Sequence, residues 1–239
     1  MYRRSLLKLA GFGAAAALLP TRLSAAAANR WANWSGNQTA APNAIHYPAN
    51  KAQLADLLRS STGTVRCFGG SHSFSALVPT DDTLISLEAF NGLQQHNSEK
   101  NTATFGAGTR LGGASSQAWD IGQSFVNEPD INLQSLAGAI ATSTHGTGRN
   151  LPSLSGLVES LTLMTAEGEL LPLNQSDGDM FRAAICSLGA LGAVTDITFK
   201  NQPRYLLKEQ TRVMSLKEAL MLVDRDLSLI HISEPTRPY

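Results

Sequence analysis

Cysteine is scarce in this sequence, and its scarcity excludes two kinds of structure. Only two of the 239 residues are cysteine, Cys67 and Cys186, and they lie far apart in the chain. A single pair at such a separation does not provide a disulfide-stapled scaffold, and no C-x-x-C spacing is present to ligate a metal. We therefore expect two unpaired, largely buried thiols and no metal site.

Charge and long apolar runs are lacking as well. Charged residues make up 16% of the chain and the net charge is zero, so nothing in the composition favours binding to nucleic acid. The apolar run from Leu6 to Leu19 is shorter than the roughly 20 residues that span a bilayer, and we expect no transmembrane segment. A hydrophobic content of 43% is nevertheless enough for a folded core.

The first 28 residues have the pattern of an export signal. Arg3 and Arg4 precede the modest apolar run, and the small residues from Ser24 to Ala27 resemble a cleavage site. Paired arginines in this position are typical of the bacterial twin-arginine signal. The other interpretation is an ordinary basic segment in which two arginines are adjacent by chance. We expect the twin-arginine export machinery to deliver the protein, already folded, to the periplasm or the exterior of a bacterial cell.

The segment from Leu227 to Tyr239 is interpreted differently from the rest. Its residues resemble the translation of a sequencing adapter, so we read 227–239 as adapter read-through and expect the natural chain to be cut off near Asp226, with its remaining part missing. The alternative is a genuine short strand followed by a tail that contains proline. His231 is accordingly left out of any catalytic or metal argument.

Strand-like and helix-like segments alternate between these ends, which indicates an α+β fold with two small subdomains. Asn50 is a plausible N-cap for one helix, Gly122 closes another, and Asp177 or Asp179 can cap a third. Gly168 suits the turn of a hairpin. The predicted strands cover residues 45–48, 64–68, 84–87, 102–105, 158–165, 170–173 and 193–199, and the predicted helices cover 51–59, 111–121 and a segment that ends near 188.

A glycine-rich turn follows the predicted strand at 64–68 and delivers a histidine. Residues 67–73 read C-F-G-G-S-H-S. Gly69 and Gly70 permit backbone conformations in which consecutive N–H groups converge on phosphate oxygens, while Ser71 and Ser73 add hydroxyl donors. His72 places a nucleophilic imidazole within reach of a bound ring. The turn is suited to a flavin dinucleotide, although a histidine that only bonds to the turn's own backbone would look the same.

A second cluster, residues 132–148, consists almost entirely of small and hydroxyl-bearing residues. Gly138 permits close approach of a ligand to the backbone. Ser135 and the hydroxyls of Thr142, Ser143 and Thr144 can bond to phosphate or ribose. Two such clusters in one chain strengthen the interpretation as a flavin site.

The two clusters together resemble a known family. The segments F-G-G-S-H-S-F (68–74) and S-L-A-G-A-I-A-T-S-T-H-G-T-G (135–148) look like the vanillyl-alcohol-oxidase, or PCMH-type, FAD-binding domain. Within that superfamily the chain is most similar to the sugar-lactone and alditol oxidases. The resemblance implies a two-subdomain FAD-binding PCMH-type fold over residues 43–204, with FAD between the subdomains, a lead-in at 29–42, and the start of a truncated C-terminal substrate domain at 205–226.

The resemblance also assigns roles to individual residues. It implies that His72 carries FAD through a covalent 8α-histidyl bond, and it places Ser71 where many relatives have glycine, which tolerates positive φ better than serine does. His145 is expected either to face the isoalloxazine or merely to cap its loop, and Val194 either to meet the adenine half or to be a core valine. The implied FAD contacts are Cys67, Phe68, Gly69, Gly70, Ser71, His72, Ser73, Ser135, Gly138, Thr142, Ser143, Thr144, His145 and Val194.

The implied activity is that of an FAD-dependent oxidase similar to D-arabinono-1,4-lactone oxidase. Such an enzyme takes hydride from an alcohol carbon of a sugar lactone or polyol and passes the electrons to oxygen. No residue is assigned as the catalytic base, because in these oxidases it comes mainly from the substrate domain, and we expect this fragment alone to be inactive. The alternatives are a reductase of the enolpyruvyl-sugar type with non-covalent FAD, and an exported sugar-binding module without catalysis.

Three residues outside the two clusters remain open. Trp31 and Trp34 precede the domain and either pack on it or contact sugar. Glu128 lies just before the second cluster, where a carboxylate could accept a hydrogen bond from ribose or substrate, and we do not assign it as a base.

Overall fold

The computed structural model describes residues 29–148, 150–207 and 213–225. The predicted export signal at 1–28 and the predicted read-through segment at 227–239 lie outside these ranges. The strands are β1 (Trp31–Ala32), β2 (Thr39–Ala40), β3 (Ala44–His46), β4 (Val65–Phe68), β5 (Thr83–Ser86), β6 (Leu93–Asn97), β7 (Thr102–Gly106), β8 (Gln123–Ser124), β9 (Val158–Met164), β10 (Leu170–Asn174), β11 (Ala193–Lys200) and β12 (Gln202–Pro203). The helices are α1 (Lys51–Ser60), α2 (Leu111–Asp120), α3 (Leu136–Ala141), α4 (Gly178–Ile185) and α5 (Leu216–Arg225).

The smaller of the two main sheets is parallel and has the order β3-β5-β4. Helix α1 connects β3 to β4, and its N-cap Asn50 accepts a hydrogen bond from the Gln53 N–H, as predicted. Leu54 on α1 is fully buried and belongs to a cluster with Ile85 of β5. Strand β4 lies at one edge of this sheet, and the glycine-rich turn follows its carboxyl end.

The larger sheet is antiparallel and has the order β10-β9-β11-β7-β6. Its core includes Phe105, Phe125 and Phe199, whose rings pack with centroid separations of 6.1 and 5.2 Å. Met164 and Ala193, which pair across β9 and β11, pack instead with the cluster around α1. This packing joins the two subdomains, because residues of the larger sheet complete the core of the smaller one.

A polar contact also joins the subdomains. Lys51 Nζ lies 2.5 Å from Asp196 Oδ2, and Gln94 donates to the other carboxylate oxygen at 2.7 Å. Burial raises the pKa of Asp196, but the hydrogen bonds from Lys51, Thr195 and Gln94 and the Lys51 charge outweigh it and hold the pKa below its usual value. The paired carboxylate stays ionised and fixes α1 against β11.

Most of the predicted α+β pattern is confirmed. The hairpin of β9 and β10 turns at Gly168, which has a φ of +73°, and α2 is followed by Gly122 at a φ of +80°. The third predicted helix is shorter than expected. It ends at Ile185, and the Asp177 carboxylate accepts from the Asn174 N–H at 2.8 Å and makes no capping bond to α4.

The expectation for the thiols is confirmed in part. Cys67 and Cys186 are both unpaired, but Cys186 is exposed, because α4 ends just before it. Within the part of the chain that the structure describes, no group of side chains is suited to hold a metal ion. No helix in those ranges has the length and apolar character needed to cross a membrane.

The hairpin offers a test of the core. Leu163 on β9 is 2% exposed and Leu170 on β10 is 47% exposed. We expect Leu163→Ala to lower the free energy of unfolding by about 2–5 kcal/mol, because the cavity it leaves adds to the lost burial. Leu170→Ala, the matched control, should change it by about 0.5 kcal/mol or less. Chemical denaturation measures both, and equal losses would contradict this packing.

Candidate functional site

A cleft of about 240 Å³ opens between the two subdomains. One wall is the glycine-rich turn after β4, and the facing wall is formed by the loop before α3, by α3 itself and by the loop after α4. Twelve of the fourteen predicted contacts line it, namely Cys67, Phe68, Gly69, Gly70, Ser71, His72, Ser73, Ser135, Gly138, Thr142, Thr144 and Val194. Ser143 and His145 are not in the lining.

The two predicted clusters are in direct contact at Gly69. A Cβ atom there would lie 1.8 Å from Ser135 Oγ and 2.7 Å from Ser135 Cβ, far inside van der Waals contact. A Cβ atom at Gly70 would lie 2.7 Å from the Leu133 carbonyl oxygen. Glycine is therefore required at both positions because the second loop packs onto the first.

The backbone of the turn leaves its donors available. Within the described part of the chain, no hydrogen bond has a backbone N–H group between Gly69 and Ser73 as its donor. Ser71 has a φ of +56°, in the left-handed region that glycine adopts more readily than serine. Successive N–H groups in such a turn form a concave surface suited to an anion, so this wall can accept phosphate oxygens.

The second loop is ordered by its own side chains. Ser135 is the N-cap of α3, and its Oγ accepts from the Gly138 N–H at 3.3 Å. Thr142 Oγ1 donates to the Gly138 carbonyl at 3.1 Å. His145 is exposed and its Nδ1–H donates to the Gly146 carbonyl at 2.8 Å, which is the loop-capping arrangement. Ser143 lies with a φ of +55° and its Oγ donates to Ser153 Oγ.

His72 stands on the turn with one ring face covered. Its imidazole stacks on the Trp34 ring with a centroid separation of 5.4 Å and an interplanar angle of 23°. Partial burial lowers the pKa of His72 below its usual value, and the nearby Arg110 guanidinium lowers it further. Both effects favour the neutral imidazole, the form in which a ring nitrogen has a lone pair to donate.

Cys67 is also in the cleft but is chemically inert. Burial raises the pKa of its thiol to about 12, against a smaller opposite effect from the Arg66 charge. Because the thiolate is the reactive form of cysteine, this side chain serves as a wall of the cleft.

Several lining residues were not predicted from the sequence. The loop from Ser187 to Gly192 and the segment Ala107–Gly108 both reach the cleft. Each is rich in glycine, a signal that could have identified them. Gln134 also lines the cleft, and its Oε1 atom is buried without a hydrogen-bond partner in the described part of the chain. No sequence signal distinguishes Gln134 from its neighbours.

A cleft between two subdomains, with one wall of unpaired backbone donors and one wall of small residues, defines a binding domain for a dinucleotide cofactor. The chain belongs to the FAD binding domain family, whose pattern matches residues 42–174. The residues fit this cofactor: the glycine turn leaves its N–H groups to phosphate, and Gln134 Oε1 is available to accept a hydrogen bond from a bound ligand.

Relatives of known name support this assignment. The chain is 35% identical over 197 residues to an L-gulono-1,4-lactone dehydrogenase of Mycobacterium tuberculosis, covering 81% of this chain and 46% of the relative. It is 30% identical to the L-gulonolactone oxidase of Mus musculus, covering 82% and 45%. It is also 30% identical to an alditol oxidase of a Streptomyces species, covering 72% and 42%. The chain thus spans less than half the length of these relatives.

Solved structures have the same fold. A cholesterol oxidase from Brevibacterium sterolicum superposes with a TM-score of 0.65 at 19% identity, covering 74% of this chain and 37% of that one. An alkyldihydroxyacetonephosphate synthase superposes with a TM-score of 0.63 at 20% identity, covering 70% and 33%. These likenesses confirm the predicted two-subdomain FAD-binding fold.

The contact at Gly69 can be tested with one methyl group. We expect Gly69→Ala to weaken FAD binding by about 10-fold or more, because the added Cβ displaces Ser135 and opens the cleft. Gly113→Ala on α2 is the matched control, since its Cβ would meet nothing closer than 4.0 Å. Titration of the full chain with FAD, followed by flavin fluorescence, measures both.

A second substitution separates this clash from general damage. Ser135→Gly removes the Oγ and Cβ atoms that the Gly69→Ala methyl would meet, and the next atom, Ser135 Cα, lies 3.9 Å away. Glycine costs a helix N-cap only a few tenths of a kcal/mol. The double variant should therefore regain much of the affinity. Unchanged affinity in Gly69→Ala, or no recovery in the double variant, would contradict the contact.

Proposed function

We propose that this protein is part of an FAD-dependent oxidase that acts on an alcohol carbon of a sugar lactone or polyol, with oxygen as the electron acceptor. The observation that carries the proposal is the FAD-type cleft with a neutral histidine on its phosphate-binding turn. The names of the relatives, which include lactone dehydrogenases, a lactone oxidase and an alditol oxidase, support the substrate class. When bound, FAD supplies the redox chemistry by accepting hydride from the substrate carbon.

We propose further that His72 holds the cofactor covalently. His72 would hold the flavin through a bond from one imidazole nitrogen to the 8-methyl carbon. One methyl C–H proton and the imidazole N–H proton would be released, and oxygen would accept the two electrons and become peroxide. The lowered pKa of His72 supports this role, because only the neutral imidazole is a nucleophile. The thiol of Cys67, protonated at neutral pH, does not compete for the same carbon.

The protein's own contribution to binding is orientation. Backbone N–H groups of the glycine turn would hold the pyrophosphate, and Thr142 and Thr144 would line its path along the second wall. Glu128 does not line the cleft. Burial raises the pKa of its carboxyl, and it accepts from Ser115 Oγ at 2.6 Å, which is a structural arrangement. We therefore assign the substrate-side base to no described residue.

The substrate side is proposed to lie in further chain beyond the described residues. Residues 205–226 are the proposed start of that domain. Helix α5 supports this, because Leu216 and Leu220, one turn apart on the same helix face, are more than half exposed, as is Met221, and another element can cover them. The chain spans less than half the length of each of these relatives, which agrees with a substrate domain that the given sequence does not include.

Export by the twin-arginine machinery to the periplasm or the exterior of a bacterial cell is part of the same proposal. It rests on Arg3 and Arg4 and on the small residues before Asn29. A covalent tether suits an exported flavoprotein, because a cofactor lost outside the cytoplasm is not replaced.

Turnover tests the proposed reaction directly. We expect the complete gene product to form peroxide from oxygen when supplied with sugar lactones or polyols, at a rate that saturates with substrate. Peroxide assays over a panel of lactones and alditols measure this. Reduction of the flavin by a nicotinamide, with no response to any lactone or polyol, would favour the reductase class and contradict the proposal. A protein that binds sugar but never reduces oxygen would favour the non-catalytic module.

The tether is tested by denaturation in acid. We expect the wild type to keep its flavin on the precipitated polypeptide and His72→Ala to release essentially all of it. The reason is that no other described side chain at this place on the turn is a neutral nucleophile. His96→Ala, in the exposed part of β6, is the matched histidine control and should keep its flavin. Flavin that stays attached to denatured His72→Ala would show that another residue forms the bond.

A further inference from the structure

The hairpin of β1 and β2, residues 31–40, lies upstream of the segment that matches the FAD binding domain family, yet it contacts the turn that carries His72. The Trp34 N–H donates to the Ser71 carbonyl at 3.0 Å. Asn33 Nδ2 donates to the Ser73 carbonyl, also at 3.0 Å. The two bonds lie on either side of His72 and fix the backbone that presents it.

Further bonds from the same hairpin follow the turn. Asn37 Nδ2 and Gln38 Nε2 both donate to the Phe74 carbonyl, at 3.2 and 3.1 Å. Every one of these contacts uses a carbonyl of the turn. The N–H groups from Gly69 to Ser73 make no bond of their own within the described part of the chain and remain available to a ligand. The hairpin therefore holds the turn through its carbonyl groups and uses none of its N–H donors.

Asn33 anchors the hairpin itself. Its side chain is 4% exposed, its Nδ2 also donates to Asn37 Oδ1 at 2.6 Å, and its Oδ1 accepts from the Gln38 N–H at 3.1 Å. A buried amide with both ends satisfied holds one geometry, because leaving either end unpaired is costly. Trp34, the next residue, is thereby held rigidly over the turn.

The Trp34 ring restricts the His72 imidazole without blocking its chemistry. The two rings stack at 23°, and the Phe74 ring also contacts Trp34, edge to face, at 5.7 Å and 72°. Stacking covers a face of the imidazole. The lone pair of the unprotonated ring nitrogen lies in the plane of the ring and points outward from its edge, so stacking leaves it free to form a bond.

We propose that Trp34 is a positioning residue for the attachment of FAD to His72, and that the hairpin at residues 31–40 is the part of the chain that aims the imidazole at the flavin. This inference rests on the proposed covalent tether. It assigns a role to a tryptophan that is 59% exposed and that contributes little to the core. Misaligning a reacting group by about 1 Å can slow a reaction by 100-fold, so a stacking partner of this kind controls rate more than affinity.

The test compares bond formation with cofactor binding. FAD is added to the full chain in its apo form, and the fraction of flavin that survives acid denaturation is followed in time. Non-covalent affinity is measured separately by flavin fluorescence in a His72→Ala background. Trp34→Leu keeps apolar volume but loses the aromatic face, Trp34→Phe keeps a face, and Trp119→Leu is the control for loss of a partly exposed tryptophan away from the cleft.

We expect Trp34→Leu to form the bond about 10- to 100-fold more slowly while its affinity for FAD changes less than about threefold. Trp34→Phe should recover most of the rate, and Trp119→Leu should match the wild type. If Trp34→Leu fails to fold, Trp34→Met takes its place, because the flexible thioether fills irregular space without an aromatic face.

Three results would overturn the inference. They are a rate in Trp34→Leu equal to that of the wild type, equally slow Leu and Phe variants, and a fall in affinity parallel to the fall in rate, which would make Trp34 part of the binding surface. A wild type that forms no bond at all, but binds FAD reversibly, would overturn the proposed tether and the inference with it. This outcome differs from the other three, because the wild type itself then fails to form the bond, before Trp34 is changed.

Discussion

The contact between Gly69 and Ser135 leaves no space for a side chain, and the arrangement of the cleft depends on it. A single Cβ atom at Gly69 would overlap the Ser135 hydroxyl. Ser135 also caps α3, so the same residue that closes against the turn orients the helix behind the second wall. This one contact sets the distance between the two walls. Because the walls approach so closely, only small residues fit on either side.

The carbonyls and the N–H groups of the turn differ in their hydrogen-bond partners. Its carbonyls at Ser71, Ser73 and Phe74 accept hydrogen bonds from the N-terminal hairpin, while its N–H groups from Gly69 to Ser73 donate to no described residue. Ser71 remains in a left-handed conformation that costs a non-glycine residue of order 1 kcal/mol or more, and the hairpin's bond to its carbonyl helps to hold it there. The segment before the FAD-binding domain is thus part of the site in structural terms.

The sequence was most informative where the chemistry is local. The cap at Asn50 and the hydroxyl cluster from Ser135 to Thr144 act mainly through neighbours in the chain, and the structure places nearly all of them as expected. The glycines at 69 and 70 form a recognisable local pattern, although the residues that they contact, Ser135 and Leu133, are distant in the chain. The contact between the N-terminal hairpin and the turn around His72 could not be predicted from the sequence, because it joins residues about 40 positions apart and no periodic pattern indicates it. Trp34 packs on the domain, which is one of the two roles that the sequence left open for it.

The early end of α4 was missed for a related reason. Apolar spacing continues through Leu188, but that residue has a φ of +52°, and its carbonyl accepts from Arg66 on β4 across the cleft at 3.1 Å. Tertiary contact overrides helix propensity there. The same loop brings Leu188 and Gly189 into the lining, where its glycine content was the one local signal.

The most direct test of the account is the visible absorption spectrum of the full chain, refolded with excess FAD and then desalted. The account predicts that the flavin band stays with the protein at close to one flavin per chain, because the closed turn and the second loop together hold the dinucleotide. A colourless protein that is folded by circular dichroism would contradict it, and the cleft between the subdomains would then have to serve some other ligand.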